Sequence, residues 1–369
     1  MIIKCEKSNL LNGVSTVYRA IPSKTTMSIL ECILITANDQ GITLTANDME
    51  IGIETKIDGS VVEEGIVALE AKIFFEIIRK LPDSEIIINV DENLRASITC
   101  EKSNFTIIGK SGDDFSYLPE IDKNDPLIIS DFTLKEIVRQ TIFSISDNDT
   151  NITMTGECME INGSELKLIS LDGHRISVRK VELKNSYEPR KVIIPGKTLN
   201  EVSKILSGNA DKDIYIYFTD KHVLFEFDRT IVISRLIDGE YFKIDQMMSG
   251  DYETKVNINK KEMLDCIDRA TLLVKEGDKK PIIINITDDI MQLKINSAVG
   301  SMNEEINIEK EGKNLMIGFN PKFMIDALRV IDNETVSLYM VNSKAPCFIK
   351  DAEETYIYLI LPVNFNTVS

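Results

Sequence analysis

The 369 residues carry 42 Lys and Arg against 59 Asp and Glu, a net charge of −17, with 43% hydrophobic residues. That length is long for one core and predicts two or three domains. No run of 18 apolar residues occurs, so no helical membrane span is expected, and a strongly acidic chain taken alone argues against a polyanionic partner.

Residues 1–6 alternate like a strand and lack the apolar stretch of a secretory leader. The six cysteines, Cys5, Cys32, Cys100, Cys158, Cys266 and Cys347, form no C-x-x-C pair. Disulfides and metal ligation are therefore not expected, and the thiols read as small buried hydrophobes of a cytoplasmic protein.

In chain order, residues 8–21 predict a helix. Strands follow over 42–46, 51–57 and 66–69, and a second helix spans 71–81. Further strands are expected over 85–90 and 105–109. The series then recurs. Helix 132–145 places Leu134, Ile137, Val138 and Ile142 on one stripe. Strands 166–170 and 192–195 lead to helix 196–206, and strands 213–218 and 230–235 close the second copy. The third copy has helix 259–274, strands 291–295, 305–308 and 315–319, helix 320–331, and strands 335–340 and 356–361.

Ala71-Lys72-Ile73-Phe74, Gly196-Lys197-Thr198-Leu199 and Pro321-Lys322-Phe323-Met324 mark the repeat, with their lysines spaced 125 residues apart. A period of that length is a whole domain rather than a solenoid unit. Polar linkers near 121–126 and 246–253 give three domains, 1–122, 127–246 and 253–369. Each is an α+β unit of two helices against antiparallel strands.

The six predicted helices sum to +6, which leaves −23 on strands and loops. Mildly basic helices within an acidic chain suit sequence-independent contact with a phosphate backbone. No helix-turn-helix, zinc finger or oligonucleotide-binding signature is present.

With these segments stand Leu171-Asp172-Gly173-His174-Arg175-Ile176, Ser234-Arg235-Leu236-Ile237-Asp238-Gly239, Asn320–Leu328 and Leu359-Ile360-Leu361-Pro362-Val363. In order and at this spacing, the whole chain resembles the beta subunit of bacterial DNA polymerase III, the sliding-clamp family. The resemblance implies three DNA-clamp domains per chain, closing as a six-domain ring in a head-to-tail homodimer. Such a clamp encircles duplex DNA and makes polymerase synthesis processive without catalysis of its own. The implied partners are double-stranded DNA, the polymerase III catalytic subunit, the clamp loader, and other replication and repair proteins. No cofactor is implied.

By matched motif, the partner-peptide groove consists of Met154, Leu171, Gly173, His174, Arg175, Ile176, Phe242, Met247, Pro346, Leu361, Pro362 and Val363, with His174 and Arg175 offering donors at its edge. DNA contacts fall on Lys24, Lys72, Arg79, Lys80 and Lys197, and Lys322 joins them by the internal repeat. The dimer joint sets Phe105 and Ile107 against Leu272 and Leu273. The chain departs from the family at Phe242, Gln246 and Met247, at Asn364-Phe365, and in the tail 366–369, all of which bear on peptide preference.

Two other readings are open. A hydrolase would need Asp172 and His174 beside a nucleophile or metal, but no nucleophile elbow, zinc-protease or P-loop motif is present. Asp172-Gly173 reads better as a hairpin turn with Gly173 at positive φ. A peptide-binding adaptor without DNA would keep the groove and lose the ring.

Overall fold

The computed structural model describes residues 1–115, 118–147, 150–248, 251–274 and 280–365. The tail 366–369 and residues 249–250 of the expected second linker lie outside the described residues.

Six helices form where the sequence places them: α1 (Lys7–Val17), α2 (Ala71–Lys80), α3 (Asp131–Arg139), α4 (Gly196–Ile205), α5 (Lys260–Thr271) and α6 (Pro321–Val330). Local chemistry sets their ends. Asn320 caps α6 by accepting from the Lys322 N–H at 3.0 Å, with Pro321 in the first turn. Asn259 caps α5 through the Glu262 N–H at 3.0 Å. In α2, Ala71, Phe74 and Ile78 are fully buried on one face, while Lys72, Arg79 and Lys80 are exposed.

The first helix of each repeat is shorter than expected. α1 gives way to a 3-10 turn at Tyr18–Ala20, and α3 ends at Arg139 with a 3-10 turn at Ile142–Ser144. Thr141 explains the second break, since its hydroxyl donates back to the Ile137 carbonyl at 2.7 Å.

The described chain forms two compact bodies, Met1–Phe132 with Lys204–Leu236, and Thr133–Ser203 with Ile237–Ser369. The first body holds a five-stranded sheet and an eight-stranded sheet. The larger sheet is continuous across two repeats, because Ile51–Ile57 pairs antiparallel with Thr230–Arg235, with Ile53 opposite Val232. In the second body the same join recurs. Arg175–Arg179 of the second repeat pairs with Tyr356–Ile360 of the third, with Ser177 opposite Tyr358, inside a seven-stranded sheet. A four-stranded sheet completes that body, with Gly300–Asn307 at its edge.

All six cysteines are free and buried. Burial pushes the Cys5, Cys158, Cys266 and Cys347 thiols up to about 12. Among the described residues, no helix is long and apolar enough to cross a membrane.

Candidate peptide-binding groove

The turn that begins the groove is built by Asp172. Its Oδ1 accepts from the backbone N–H of His174 at 2.9 Å and of Arg175 at 3.1 Å. Gly173 between them has φ of +86°, as the Asp-Gly pair predicts. The first repeat makes the same turn with Asp48, which accepts from Glu50 and Ile51, and there Met49 takes φ of +77°.

Beside the turn lies a cavity of about 220 Å³, lined by Met154, Leu171, Gly173, His174, Arg175, Ile176, Phe242, Met247, Leu359 and Leu361. The strand pairing fixes this assembly, because Ile176 faces Leu359 and the Leu361 N–H donates to the His174 carbonyl at 2.9 Å. The floor is apolar, with Tyr241 and Ile244 packed beneath it. The Tyr241 hydroxyl donates to the carbonyls of Ile169 and Gly156 at 3.2 and 3.4 Å, and burial raises its pKa well above the usual phenol value.

Nine of the twelve expected groove residues therefore line one cavity. Pro346, Pro362 and Val363 do not line it, although all three are half-buried. Val363 is tied to α6's approach strand, its N–H donating to the Gly318 carbonyl at 2.8 Å. Leu359 does line the cavity and was missed. Its strand alternation was visible, but which face it presents depends on pairing with Ile176.

Arg175 corrects an expectation. It is not a donor at the rim but is 7% exposed. Its Nε donates to Asp172 Oδ2 at 2.9 Å, its Nη1 to Asp326 Oδ2 at 2.6 Å and its Nη2 to the Phe143 carbonyl at 2.5 Å. The guanidinium also lies 4.4 Å from the Phe323 ring centroid. The side chain that stays near the edge is His174, stacked on Phe323 at 6.1 Å. An adjoining polar cleft of about 670 Å³ includes Asp147, Asp172, His174, Lys322 and Phe323.

Lys24, Lys72, Lys197 and Lys322 are exposed. Arg79 and Lys80 are exposed too and share Glu76, at 2.7 and 3.7 Å. Phe105 is 44% and Leu272 81% exposed, while Ile107 and Leu273 are half-buried. Ile108, not singled out from the sequence, is 78% exposed beside them in the strand.

Three family models tile the chain. The N-terminal domain of the DNA polymerase III beta subunit matches residues 1–119, the central domain 128–243 and the C-terminal domain 246–364. The chain belongs to the DNA polymerase III beta subunit family. The beta sliding clamp of Staphylococcus epidermidis is 35% identical over 369 residues, spanning 97% of this chain and 98% of that one. A chain from Eubacterium rectale, solved as a candidate beta subunit, is 64% identical with a TM-score of 0.95, covering 99% of this chain and all of that one. The DNA polymerase sliding clamp of Bacillus subtilis is 33% identical, also with a TM-score of 0.95 and the same coverage. As a beta subunit, the chain carries three clamp domains of mixed helix and sheet.

Proposed function

We propose that this sliding clamp works as a ring. Two copies close head to tail into six domains around duplex DNA, and the groove beside Gly173 holds short linear peptides of the polymerase and other partners. The domain limits are 1–122, 127–246 and 253–369.

One observation carries this reading. Within each body, the last strand of one repeat zips onto the hairpin strand of the repeat before it, as Thr230–Arg235 does on Ile51–Ile57 and Tyr356–Ile360 on Arg175–Arg179. Two strands of these same kinds end their sheets, Ser103–Ile108 in the first repeat and Gly300–Asn307 in the third. An unpaired edge flanked by exposed apolar side chains is a template for another chain. Continuing the register of the two internal joins sets Phe105 opposite Met302 and Thr106 opposite Ser301 in a second copy. Leu272 and Leu273 then cover the joint from the helix side. Two such contacts close the circle and pair both of these edges.

The mechanism is topological. The ring cannot leave the duplex sideways, while weak contacts from Lys24, Lys72, Arg79, Lys80, Lys197 and Lys322 let it slide. A tethered polymerase gains a high local concentration at the primer end. The clamp makes and breaks no bond, and it works in the cytoplasm, where replication proceeds.

The test is retention on DNA. Clamp loaded by its clamp loader onto nicked circular DNA is expected to survive gel filtration in high salt and to run off once the circle is cut. Equal retention on linear and circular DNA would sink the ring, and retention on neither would favour the peptide-binding adaptor.

A further inference from the structure

The second repeat carries a polar core where its two sisters are apolar. Glu157 is the second residue of the strand Gly156–Leu171 and lies opposite Ile194, which stands two residues before α4. In the first repeat that place belongs to Ile33, opposite Leu69, and in the third to Ile282, opposite Phe319. All three side chains are fully buried. Thr141 likewise replaces Val17 and Ala270 at the end of the first helix.

Glu157 has no hydrogen-bond partner at either carboxylate oxygen. The Thr141 hydroxyl lies close enough to favour the charged form, but its proton is committed to the Ile137 carbonyl at 2.7 Å. The phenol of Tyr241 also feels the carboxylate, and its own proton goes to backbone carbonyls. Burial drives the Glu157 pKa well above the carboxylate range. An isolated buried carboxylate is so costly that the group takes a proton instead.

We infer that Glu157 is a neutral, protonated acid that makes the packing of the second repeat proton-dependent. The folded state holds this proton and the unfolded chain releases it above its ordinary value of about 4.3. Stability is therefore fully present below that pH and falls as pH rises through the window up to the raised folded value. Within the window each pH unit changes the folding equilibrium about tenfold. Neither Ile33 nor Ile282 can titrate, and the buried thiols of the other repeats respond only above the ordinary thiol value of about 8.5, so below that pH the loosening falls on the second repeat. The segment it loosens runs through Thr141, whose carbonyl accepts from Ser170, to Phe143, whose carbonyl holds Arg175 of the groove.

The experiment compares the full chain with Glu157→Ile and Glu157→Gln by hydrogen exchange of peptides from the second repeat at pH 6 and 8.5. Glu157→Ile is expected to gain protection over wild type, with a gain at least tenfold larger at pH 8.5. An equal gain at both pH values, or a loss, would overturn the inference. If the variants fold poorly, infrared spectra of the wild type decide. A protonated carboxylic acid carbonyl band at pH 7 supports it, and the absence of that band overturns it.

Discussion

The Arg175 guanidinium sits 2.6 Å from the Asp326 carboxylate and binds the second repeat's hairpin to α6 of the third. With Asp172 on its other side, the cation is enclosed by two carboxylates, a carbonyl and the Phe323 ring. Burying such a charge is tolerable because each of its three nitrogens donates a hydrogen bond, two of them to carboxylates.

Removing it leaves two shielded carboxylates uncompensated. Arg175→Ala is expected to cost about 3–5 kcal/mol and to abolish peptide binding with it. Arg175→Lys restores charge but not the planar fork, and is expected to recover less than half of the loss. Urea unfolding of the three proteins measures both effects.

Leu361 is half-buried at the groove wall and bonded through its backbone, not its side chain. Leu361→Ala is therefore expected to leave the fold intact and weaken a labelled peptide carrying two adjacent large apolar residues by about tenfold or more. Fluorescence anisotropy reads the affinity and circular dichroism reads the fold. Unchanged affinity would move the docking site away from this cavity.

At the proposed joint, Phe105→Asp puts a carboxylate where Phe105 would meet Met302. Sedimentation is expected to shift from about twice 41.6 kDa to the single-chain mass. A wild-type monomer at micromolar concentration would contradict ring closure by the isolated chain.

The thiols supply a check on packing. With all six cysteines buried and four pushed up to about 12, none is expected to react with a thiol reagent at pH 8 in the folded protein. All six should react in guanidinium. Rapid labelling of any one in the native state would identify a locally open segment.

Much of this was legible in the sequence. Strands such as 85–90, 213–218 and 335–340 have the limits that alternation predicts. The Asp172-Gly173 turn followed from the needs of positive φ. The first helices were overestimated because Ile142 continued the apolar stripe of α3, whereas Thr141 and the 3-10 turn had already diverted the backbone. With these shorter limits α3 includes Asp131, and the helices' net charge falls from the expected +6 to +5.

Sequence by itself determined the three-fold repeat, the type and order of the elements and the family, because period, caps and turn residues act locally. It also marked Arg175 as important. Only the tertiary structure decided what Arg175 does. The fork is consumed by Asp326, 151 residues away, and no local pattern encodes a partner at that distance. The same holds for Glu157, which reads as an ordinary polar strand residue. It became an orphaned acid only when the fold placed it where the sister repeats keep Ile33 and Ile282, out of reach of water.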